Sequence, residues 1–184
     1  MVKKALRYVQ GTKGLMLTYK RSDSLEIRGY SDADFAGDKD DRKSTTGYVF
    51  TLAGGVISWR SSKQSIVASS TMYAEFIACY EAMGQALWLK KFLPDLKVVD
   101  CISRPLKMYC DNEPAIFYAH NNKLSNATKT IEIRYYVVKH KIHDHTISLE
   151  HIRTKDMLAD PLTKGLPPSV FKEHLAGMGL RESL

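Results

Sequence analysis

An α/β domain is the fold class that the sequence predicts. Short runs rich in β-branched and aromatic residues alternate with longer runs whose apolar residues recur at helical spacing. The chain has 184 residues, of which 44% are hydrophobic and 26% are charged, and this suits one compact domain with a sizeable core. The predicted order is strand, two hairpin strands, helix, strand, two helices, strand and helix.

The first elements are a short helix ended by Gly11, an extended run and three strands. The residues Ala53-Gly54-Gly55 between two of these strands are typical of a hairpin turn. The predicted bounds are residues 2–9 for the helix, 15–19 for the extended run, and 25–34, 47–52 and 56–60 for the strands.

The longest predicted helix covers residues 69–93. Ser69, Ser70 and Thr71 can cap its start, the apolar residues that follow keep helical period, and Pro94 is expected to end it. In the second half of the chain we expect a strand at residues 105–110, helices at 115–120 and 130–142, a strand at 146–152, a short helix at 155–162 and a last amphipathic helix at 170–178.

The charge of the chain indicates a polyanionic partner. Lysine and arginine number 27 against 20 aspartate and glutamate residues, which gives a net charge of +7. We expect nucleic acid before membrane, because no apolar run is long enough to cross a bilayer and no lipid-binding segment is evident. A merely solvated basic surface is the alternative.

The three cysteines argue against a disulfide framework or a zinc site. The chain has an odd number of cysteines, and none are in CxxC spacing; they are Cys79, Cys101 and Cys110. They indicate reduced, mostly buried thiols in an intracellular protein, in the cytoplasm, the nucleus or both.

Acidic residues stand at four separate places along the chain. Asp32 and Asp34 share one face of the first main strand by its period of two, and like charges on one face need water, a basic partner or a cation. Taken alone, an ordinary acidic turn is the simpler interpretation. Glu75 lies near the start of the long helix, and Asp111 follows a strand where a helix begins, so each could instead serve its helix terminus. Asp160 lies in the predicted helix at 155–162.

Other catalytic arrangements are not indicated. The sequence has no nucleophile elbow and no glycine-rich phosphate loop of either usual spacing.

Six motifs, in order, resemble the ribonuclease H domain of copia-type long-terminal-repeat retrotransposons, close to those of plants. They lie at residues 30–38, 43–48, 57–64, 70–76, 110–112 and 155–164. Residues 4–17 resemble the end of the reverse transcriptase that precedes this domain in the polyprotein. The resemblance implies a remnant of the reverse transcriptase connection at residues 1–22, a ribonuclease H-like domain at 23–164 and a C-terminal helical tail at 165–184.

The resemblance also implies a ribonuclease H-like fold, a five-stranded mixed sheet with helices on both faces, and hydrolysis of the RNA strand of RNA–DNA hybrids. The four metal-binding acids of the family correspond to Asp32, Glu75, Asp111 and Asp160. They imply catalysis by two Mg²⁺ ions, for which Mn²⁺ is expected to substitute.

Two of these assignments involve a choice between neighbouring acids. Asp32 is preferred over Asp34 because the first acid of the family follows a serine or threonine at the centre of its strand. Asp160 is preferred over Asp156 because the last acid of the family lies one turn inside the final helix, after a small residue.

Substrate contacts are expected from basic and polar residues outside these four acids. Phosphate contacts are predicted for Arg42, Lys43, Lys63, Gln64 and the basic segment 129–141, and minor-groove contacts for Asn112 and residues 44–46. For each of them a solvated surface position is the alternative.

The chain departs from the family pattern at a few positions. Met72-Tyr73 replaces a region in which many relatives carry an extra glutamate, and the histidine that cellular ribonucleases H carry before the last acid has no clear match. His151 is near that place but lies in a predicted strand, so we expect a structural role for it.

Two other functions remain open. One is a catalytically inactive or host-adopted ribonuclease H-like module that binds nucleic acid without turnover. The other is an integrase-like nuclease, although such enzymes usually place their glutamate last. The partners implied are an RNA–DNA hybrid and the reverse transcriptase domain of the parent polyprotein.

Overall fold

The computed structural model describes residues 10, 12–21, 25–37, 40–95, 105–121 and 129–183, with only the backbone at 129–131. The helix predicted at residues 2–9 lies outside the described residues. Within them, no helix is long and apolar enough to cross a membrane.

The described residues form strands and helices in the predicted order, with one further strand near the C-terminus. The strands are β1 Leu15–Leu17, β2 Arg28–Asp34, β3 Thr45–Leu52, β4 Gly55–Lys63, β5 Leu106–Cys110, β6 Ile147–His151 and β7 Leu180–Glu182. The helices are α1 Thr71–Asp95, α2 Glu113–His120, α3 Lys129–His143 and α4 Pro168–Gly177, and two 3₁₀ turns lie at Thr154–Asp156 and Asp160–Leu162.

Five strands form one mixed sheet in the order β4-β3-β2-β5-β6. The β2–β3 and β3–β4 pairs are antiparallel, whereas β2–β5 and β5–β6 are parallel. Between β3 and β4, Ala53 and Gly54 both have positive φ angles of 53° and 76°. This geometry fits a tight two-residue hairpin turn, which matches the twist of the flanking strands. The predicted five-stranded mixed sheet is confirmed.

Helices cover both faces of this sheet, as predicted. On one face, α1, α2 and α3 pack over a core that includes Phe50, Phe76 and Met108, each no more than 1% exposed. On the other face, Val49 and its neighbours pack against the segment that carries the 3₁₀ turns and against the end of α4. The residues of this second core are Tyr30, Val49, Val56, Met157, Leu158, Ala159 and Met178.

The segment predicted as a helix at residues 155–162 consists instead of two 3₁₀ turns. Its backbone bonds run from residue i to residue i−3, as from Met157 N to Thr154 O at 3.0 Å and from Thr163 N to Asp160 O at 3.1 Å. The backbone of Met157 is extended, with φ −75° and ψ 98°, so the first turn ends there and no continuous helix forms. Asp160 therefore begins a short turn and does not lie one turn inside a helix.

Two further differences concern the ends of elements. Helix α1 continues through Pro94 and ends one residue later, at Asp95. Strand β7 was not predicted, since three residues are too few to show a period. It pairs antiparallel with β1, so both described ends of the chain meet beside the main sheet.

Candidate metal centre

Asp32 lies in the fifth position of β2, in the middle of the sheet, and is 0% exposed. The side chain before it, Ser31, faces α1, where its Oγ lies 3.3 Å from Cys79 Sγ. Because side chains alternate along a strand, Asp32 faces the other way, toward the segment after β6. There Thr163 Oγ1 donates a hydrogen bond to Asp32 Oδ2, and Lys164 Nζ lies 2.9 Å from Oδ1.

Strand register brings Asp111 beside Asp32. In the parallel pair of β2 and β5, Tyr30 is opposite Tyr109, so the same register two residues further on places Asp32 level with Asp111. The carboxyl ends of parallel strands meet at one edge of a sheet, which is where ligand sites of open α/β sheets lie.

Asp160 reaches the same edge from the second 3₁₀ turn. One carboxylate oxygen each from Asp32, Asp111 and Asp160 lies within 4.8 Å of the other two. Gly47, opposite Asp32 on β3, allows this turn to lie against the sheet, because a Cβ at Gly47 would be 2.6 Å from Thr163 Cγ2 and 3.2 Å from Ala159 O.

Glu75 joins the cluster from the first turns of α1. Its carboxylate, Cys110 Sγ and the Asp111 carboxylate also lie within 4.8 Å of one another. Glu75 is 3% exposed, and its Oε2 has no hydrogen-bond partner. Four acids from β2, α1, the end of β5 and the second 3₁₀ turn thus converge, with Asp111 shared by both groups.

Asp34 does not belong to either group of candidate ligands among the described residues. It is partly exposed at the end of β2, and its carboxylate lies against Gly37. The structure therefore brings Asp32, and not Asp34, into the cluster.

Burial and mutual repulsion shift the pKa values of these groups. Burial, and after it Cys110, Asp32 and Asp111, raise the pKa of Glu75 to about 10. Burial and the negative charge of Asp32 likewise raise the pKa of Asp160. Burial by itself would lower the pKa of Lys164, but Asp32 and then Asp160 raise it above its ordinary value. Lys164 is therefore a permanent cation that bonds Asp32 at 2.9 Å and Asp160 at 3.2 Å.

The donor set fits a hard divalent cation. Carboxylate oxygens are the ligands that Mg²⁺ and Mn²⁺ prefer. A buried carboxylate oxygen without a donor, such as Glu75 Oε2, is costly unless a cation or a proton satisfies it. The cluster therefore offers the ligands that a divalent cation needs.

The residues predicted to contact substrate do not all lie at the surface. Arg42 is exposed, and Lys43 and Lys63 are partly or largely exposed, with their ammonium groups 3.7 and 3.8 Å from Asp41. Gln64, by contrast, is 1% exposed. Its Nε2 donates to Thr46 Oγ1 at 3.1 Å and to Ala74 O at 2.8 Å. Gln64 thus joins the β3–β4 pair to α1, and its side chain is buried and not at the surface as the predicted phosphate contact requires.

Residues 44–46 differ from the prediction in the same way. Ser44 and Thr46 are 0% exposed, so a minor-groove contact is open only to Thr45, which is partly exposed. Ser44 Oγ instead accepts a hydrogen bond from Ala36 N at 3.1 Å and holds the turn after β2.

Asn112 and the basic segment 129–141 have structural contacts of their own. The Oδ1 of Asn112 accepts from Ala115 N at 2.9 Å and caps α2. In α3, Arg134 bonds Ser65 Oγ at 3.1 Å and lies 5.0 Å from the ring centre of Tyr80. A role in substrate contact therefore remains a prediction for both.

Thr163 and Lys164 were not predicted as functional residues. Both lie in the motif at residues 155–164, and Lys164 follows Asp160 by four positions, a spacing that places side chains close together on a helix. Here Thr163 and Lys164 follow the second 3₁₀ turn directly, and their bonds to Asp32 span more than 130 residues of sequence. In the sequence, the four-residue spacing between Asp160 and Lys164 is the only signal that could have pointed to them.

Sequence relatives that match nearly the whole chain include Pol polyproteins. No protein-family model matches the chain. The retrovirus-related Pol polyprotein from transposon TNT 1-94 of Nicotiana tabacum is 41% identical over 179 residues, which cover 96% of this chain and 13% of that protein. The corresponding polyprotein from transposon RE1 of Arabidopsis thaliana is 34% identical over 97% of this chain and 12% of its own length. The chain is homologous to a segment of plant retrotransposon Pol polyproteins.

Solved structures place this retrotransposon homologue in the ribonuclease H fold. LC11-RNase H1, isolated from compost, has a TM-score of 0.53 at 17% identity and covers 82% of this chain and 98% of its own. RNase H1 from Halobacterium salinarum has a TM-score of 0.51 at 15% identity and covers 75% of this chain and 94% of its own. Prototype foamy virus protease-reverse transcriptase has a TM-score of 0.50 at 15% identity over 88% of this chain and 21% of that one.

Proposed function

We propose that this chain is an endonuclease that hydrolyses the RNA strand of RNA–DNA hybrids, with Asp32, Glu75, Asp111 and Asp160 as ligands of two Mg²⁺ ions. The observation that supports this most directly is the meeting of these four acids, far apart in sequence, at one edge of a ribonuclease H-like sheet. The homology to retrotransposon Pol polyproteins supports the same assignment.

The chemistry that two bound Mg²⁺ ions supply in such sites is activation of a water and stabilisation of the leaving 3′ oxygen. Asp32, on the central strand of the sheet, would hold the ions together with Glu75, Asp111 and Asp160, of which Asp111 belongs to both groups of candidate ligands. Mn²⁺ prefers the same oxygen ligands and is expected to substitute.

The residues around Asp32 hold its carboxylate in one orientation. The hydroxyl of Thr163 bonds one oxygen and the ammonium of Lys164 bonds the other. These bonds restrict rotation of a buried carboxylate, and the charge of Lys164 offsets the repulsion between Asp32 and Asp160. A fixed orientation of the Asp32 carboxylate matters, because an in-line displacement tolerates little error in the position of the reacting groups.

Substrate contacts in this proposal come mainly from the end of the β3–β4 pair. Lys43 and Lys63 flank Thr45, which is paired with Lys63 across the two strands. Together with Arg42 they form a small basic surface beside Ser44 and Thr46, and contacts of this kind position a backbone without reading its sequence. The reverse transcriptase domain of the parent polyprotein is the proposed partner, and the division at residues 22 and 164 stays a prediction.

The decisive experiment measures cleavage of a labelled RNA–DNA hybrid during titration with Mg²⁺ and with Mn²⁺. We expect cleavage of the RNA strand by the purified chain and a loss of at least about 10²-fold in Asp111→Asn, because the displacement depends on the bound ions. A duplex of two DNA strands serves as the substrate control.

Two results would contradict the proposal. Absence of cleavage at every metal concentration, with binding of the hybrid retained, would favour a binding module without turnover. Equal cleavage by wild type and Asp111→Asn would contradict the site assignment.

A further inference from the structure

A cysteine lies directly beside two of the proposed metal ligands. Cys110 is the last residue of β5 and is 0% exposed. Its Sγ and one carboxylate oxygen each of Glu75 and Asp111 all lie within 4.8 Å of one another. A thiol is a poor ligand for Mg²⁺, so the proposed nuclease reaction has no use for it.

A second observation is that Glu75, in the same group, has a buried oxygen without a hydrogen-bond partner. The Glu75 side chain is only 3% exposed, and its Oε2 accepts no hydrogen bond. A buried acceptor without a donor costs free energy, and a cation can satisfy it. The Glu75 carboxylate that carries this unpaired acceptor has an oxygen within 4.8 Å of Cys110 Sγ.

We propose that Glu75, Cys110 and Asp111 form a binding site for a thiophilic divalent cation of the Zn²⁺ or Cd²⁺ type. One sulfur and two carboxylate oxygens, with a fourth position open to water, make a donor set that such cations accept and that Mg²⁺ does not favour. On binding, the S–H bond of Cys110 breaks and a metal–sulfur bond forms, and the Glu75 carboxyl gives up its proton and binds as a carboxylate. Both protons pass to solvent, with no change of oxidation state.

The distances are compatible with this site. Zinc bonds of about 2.3 Å to sulfur and about 2.0–2.2 Å to oxygen separate tetrahedral ligands by about 3.5 Å. Ligand atoms within 4.8 Å of one another can reach that separation by small side-chain rotations. Cys79 also contacts Cys110, but its Sγ lies 3.3 Å from Ser31 Oγ, and it does not belong to the group.

The site shares Glu75 and Asp111 with the proposed Mg²⁺ centre. A thiophilic cation bound there would therefore compete with Mg²⁺ and inhibit cleavage. This consequence rests on the proposed function, whereas binding of the cation does not.

Cadmium titration followed by ultraviolet absorption tests the binding, since a cadmium–thiolate bond gives a charge-transfer band. The whole chain would carry Cys101→Ser throughout, which removes the third thiol of the sequence. We expect one Cd²⁺ per chain with this band. Cys110→Ser and the smaller Cys110→Ala should lose the band and bind Cd²⁺ more than about tenfold less tightly, as expected for a lost ligand. Cys79→Ser is the matched control and should keep both.

The carboxylates are tested with the thiol in place. Glu75→Gln and Asp111→Asn should keep Cys110 but bind Cd²⁺ at least about tenfold less tightly. The site would be overturned if the band persisted without Cys110 or disappeared in Cys79→Ser. Wild-type Cd²⁺ affinity in both acid variants would overturn it as well. Circular dichroism of each variant checks that it is folded.

Cleavage at fixed Mg²⁺ tests the competition. Cd²⁺ at the concentration that fills the site should inhibit the Cys101→Ser protein and should inhibit the Cys110→Ser variant less. Bound Cd²⁺ without inhibition would refute the competition. If the chain cleaves no hybrid at any Mg²⁺ concentration, the proposed function fails, and the absorption titration still decides whether the cation site exists.

Discussion

Lys164 is the residue that balances the charge of Asp32 and Asp160. Substitution by methionine keeps most of its length and removes the ammonium that bonds both carboxylates. In metal-free protein we expect Lys164→Met to lower the free energy of unfolding by about 1–2 kcal/mol, less than a fully buried pair loses because the lysine side chain is 35% exposed. Binding of a divalent cation should become tighter, since the cation no longer competes with an ammonium for the same oxygens.

Thermal unfolding in chelator and calorimetric titration with Ca²⁺ or Mn²⁺ measure the two effects. Lys155→Met is the control, because Lys155 is exposed in the neighbouring 3₁₀ turn and loses the same charge. Weaker cation binding in Lys164→Met than in the control would show that the lysine supports the ligands instead of competing with the cation.

Glu75 should make the metal-free protein less stable as pH rises. Its folded-state pKa of about 10 exceeds the ordinary value of 4.5, so the folded state retains a proton that the unfolded state releases between these values. Stability that is present below about pH 4.5 is therefore lost as pH increases toward 10. Glu75→Gln cannot ionise, and we expect it to be more stable than wild type at pH 8 by about 1 kcal/mol or more, seen as a melting temperature higher by about 2–4 °C.

Melting temperatures of the two proteins at pH 5 and pH 8 in chelator check this expectation, with the gap widening at the higher pH. Saturating Mn²⁺ should stabilise wild type more than Glu75→Gln and so reduce the gap. A constant gap across this range would mean that Glu75 ionises in the folded protein with an ordinary pKa.

At the scale of elements, the approach of the second 3₁₀ turn to β3 depends on Gly47. A Cβ added there would meet Thr163 Cγ2 at 2.6 Å, Leu162 Cβ at 3.0 Å and the carbonyl oxygen of Ala159 at 3.2 Å. We expect Gly47→Ala to lower the free energy of unfolding by about 1–3 kcal/mol, the usual cost of overpacking, and to move Asp160 away from Asp32.

The matched control for Gly47→Ala is Gly84→Ala. Gly84 is exposed on α1, and a Cβ there meets nothing within 4 Å. Alanine at this position should stabilise the helix by about 0.5–1 kcal/mol. Denaturant unfolding measures both changes, and Mn²⁺ affinity reports on the geometry of the cluster. Unchanged stability and affinity in Gly47→Ala would show that the turn adjusts freely.

At the scale of the whole molecule, the net charge of +7 predicts salt-sensitive binding of nucleic acid. The isolated chain should bind an RNA–DNA hybrid with an affinity that falls as salt rises. Substitution of one phosphate-contacting lysine should reduce the slope of log affinity against log salt by about 1. We expect this of Lys63→Ala and not of Lys172→Ala on α4.

Fluorescence anisotropy with a labelled hybrid in chelator, across a range of salt concentrations, measures these slopes. Chelator keeps the hybrid intact whether or not the chain is a nuclease. Affinity that is independent of salt would contradict the electrostatic basis of binding, and equal slopes for both variants would place the contact surface away from β4.

The sequence was sufficient for the order of elements and for the acids of the cluster. Hydrophobic period is a local property, so the hairpin around Gly54 and the long helix were recognisable from a few neighbouring residues. The assignment of Asp32 over Asp34 depended on resemblance, and strand period alone left both on one face. The structure separates them, because Asp34 lies at the strand end against Gly37 while Asp32 lies level with Asp111.

By itself, then, the sequence determined the α/β class, the mixed five-stranded sheet implied by its resemblance, and the four acids that the fold gathers at one edge. Only the tertiary structure decided that Gln64 is buried under α1, that Asp160 begins a 3₁₀ turn, and that Thr163 and Lys164 bond Asp32. The physical reason is the sequence distance between the residues that determine each property. Period and composition are set by neighbouring residues, whereas burial and a hydrogen bond between residues 131 positions apart depend on how whole elements pack.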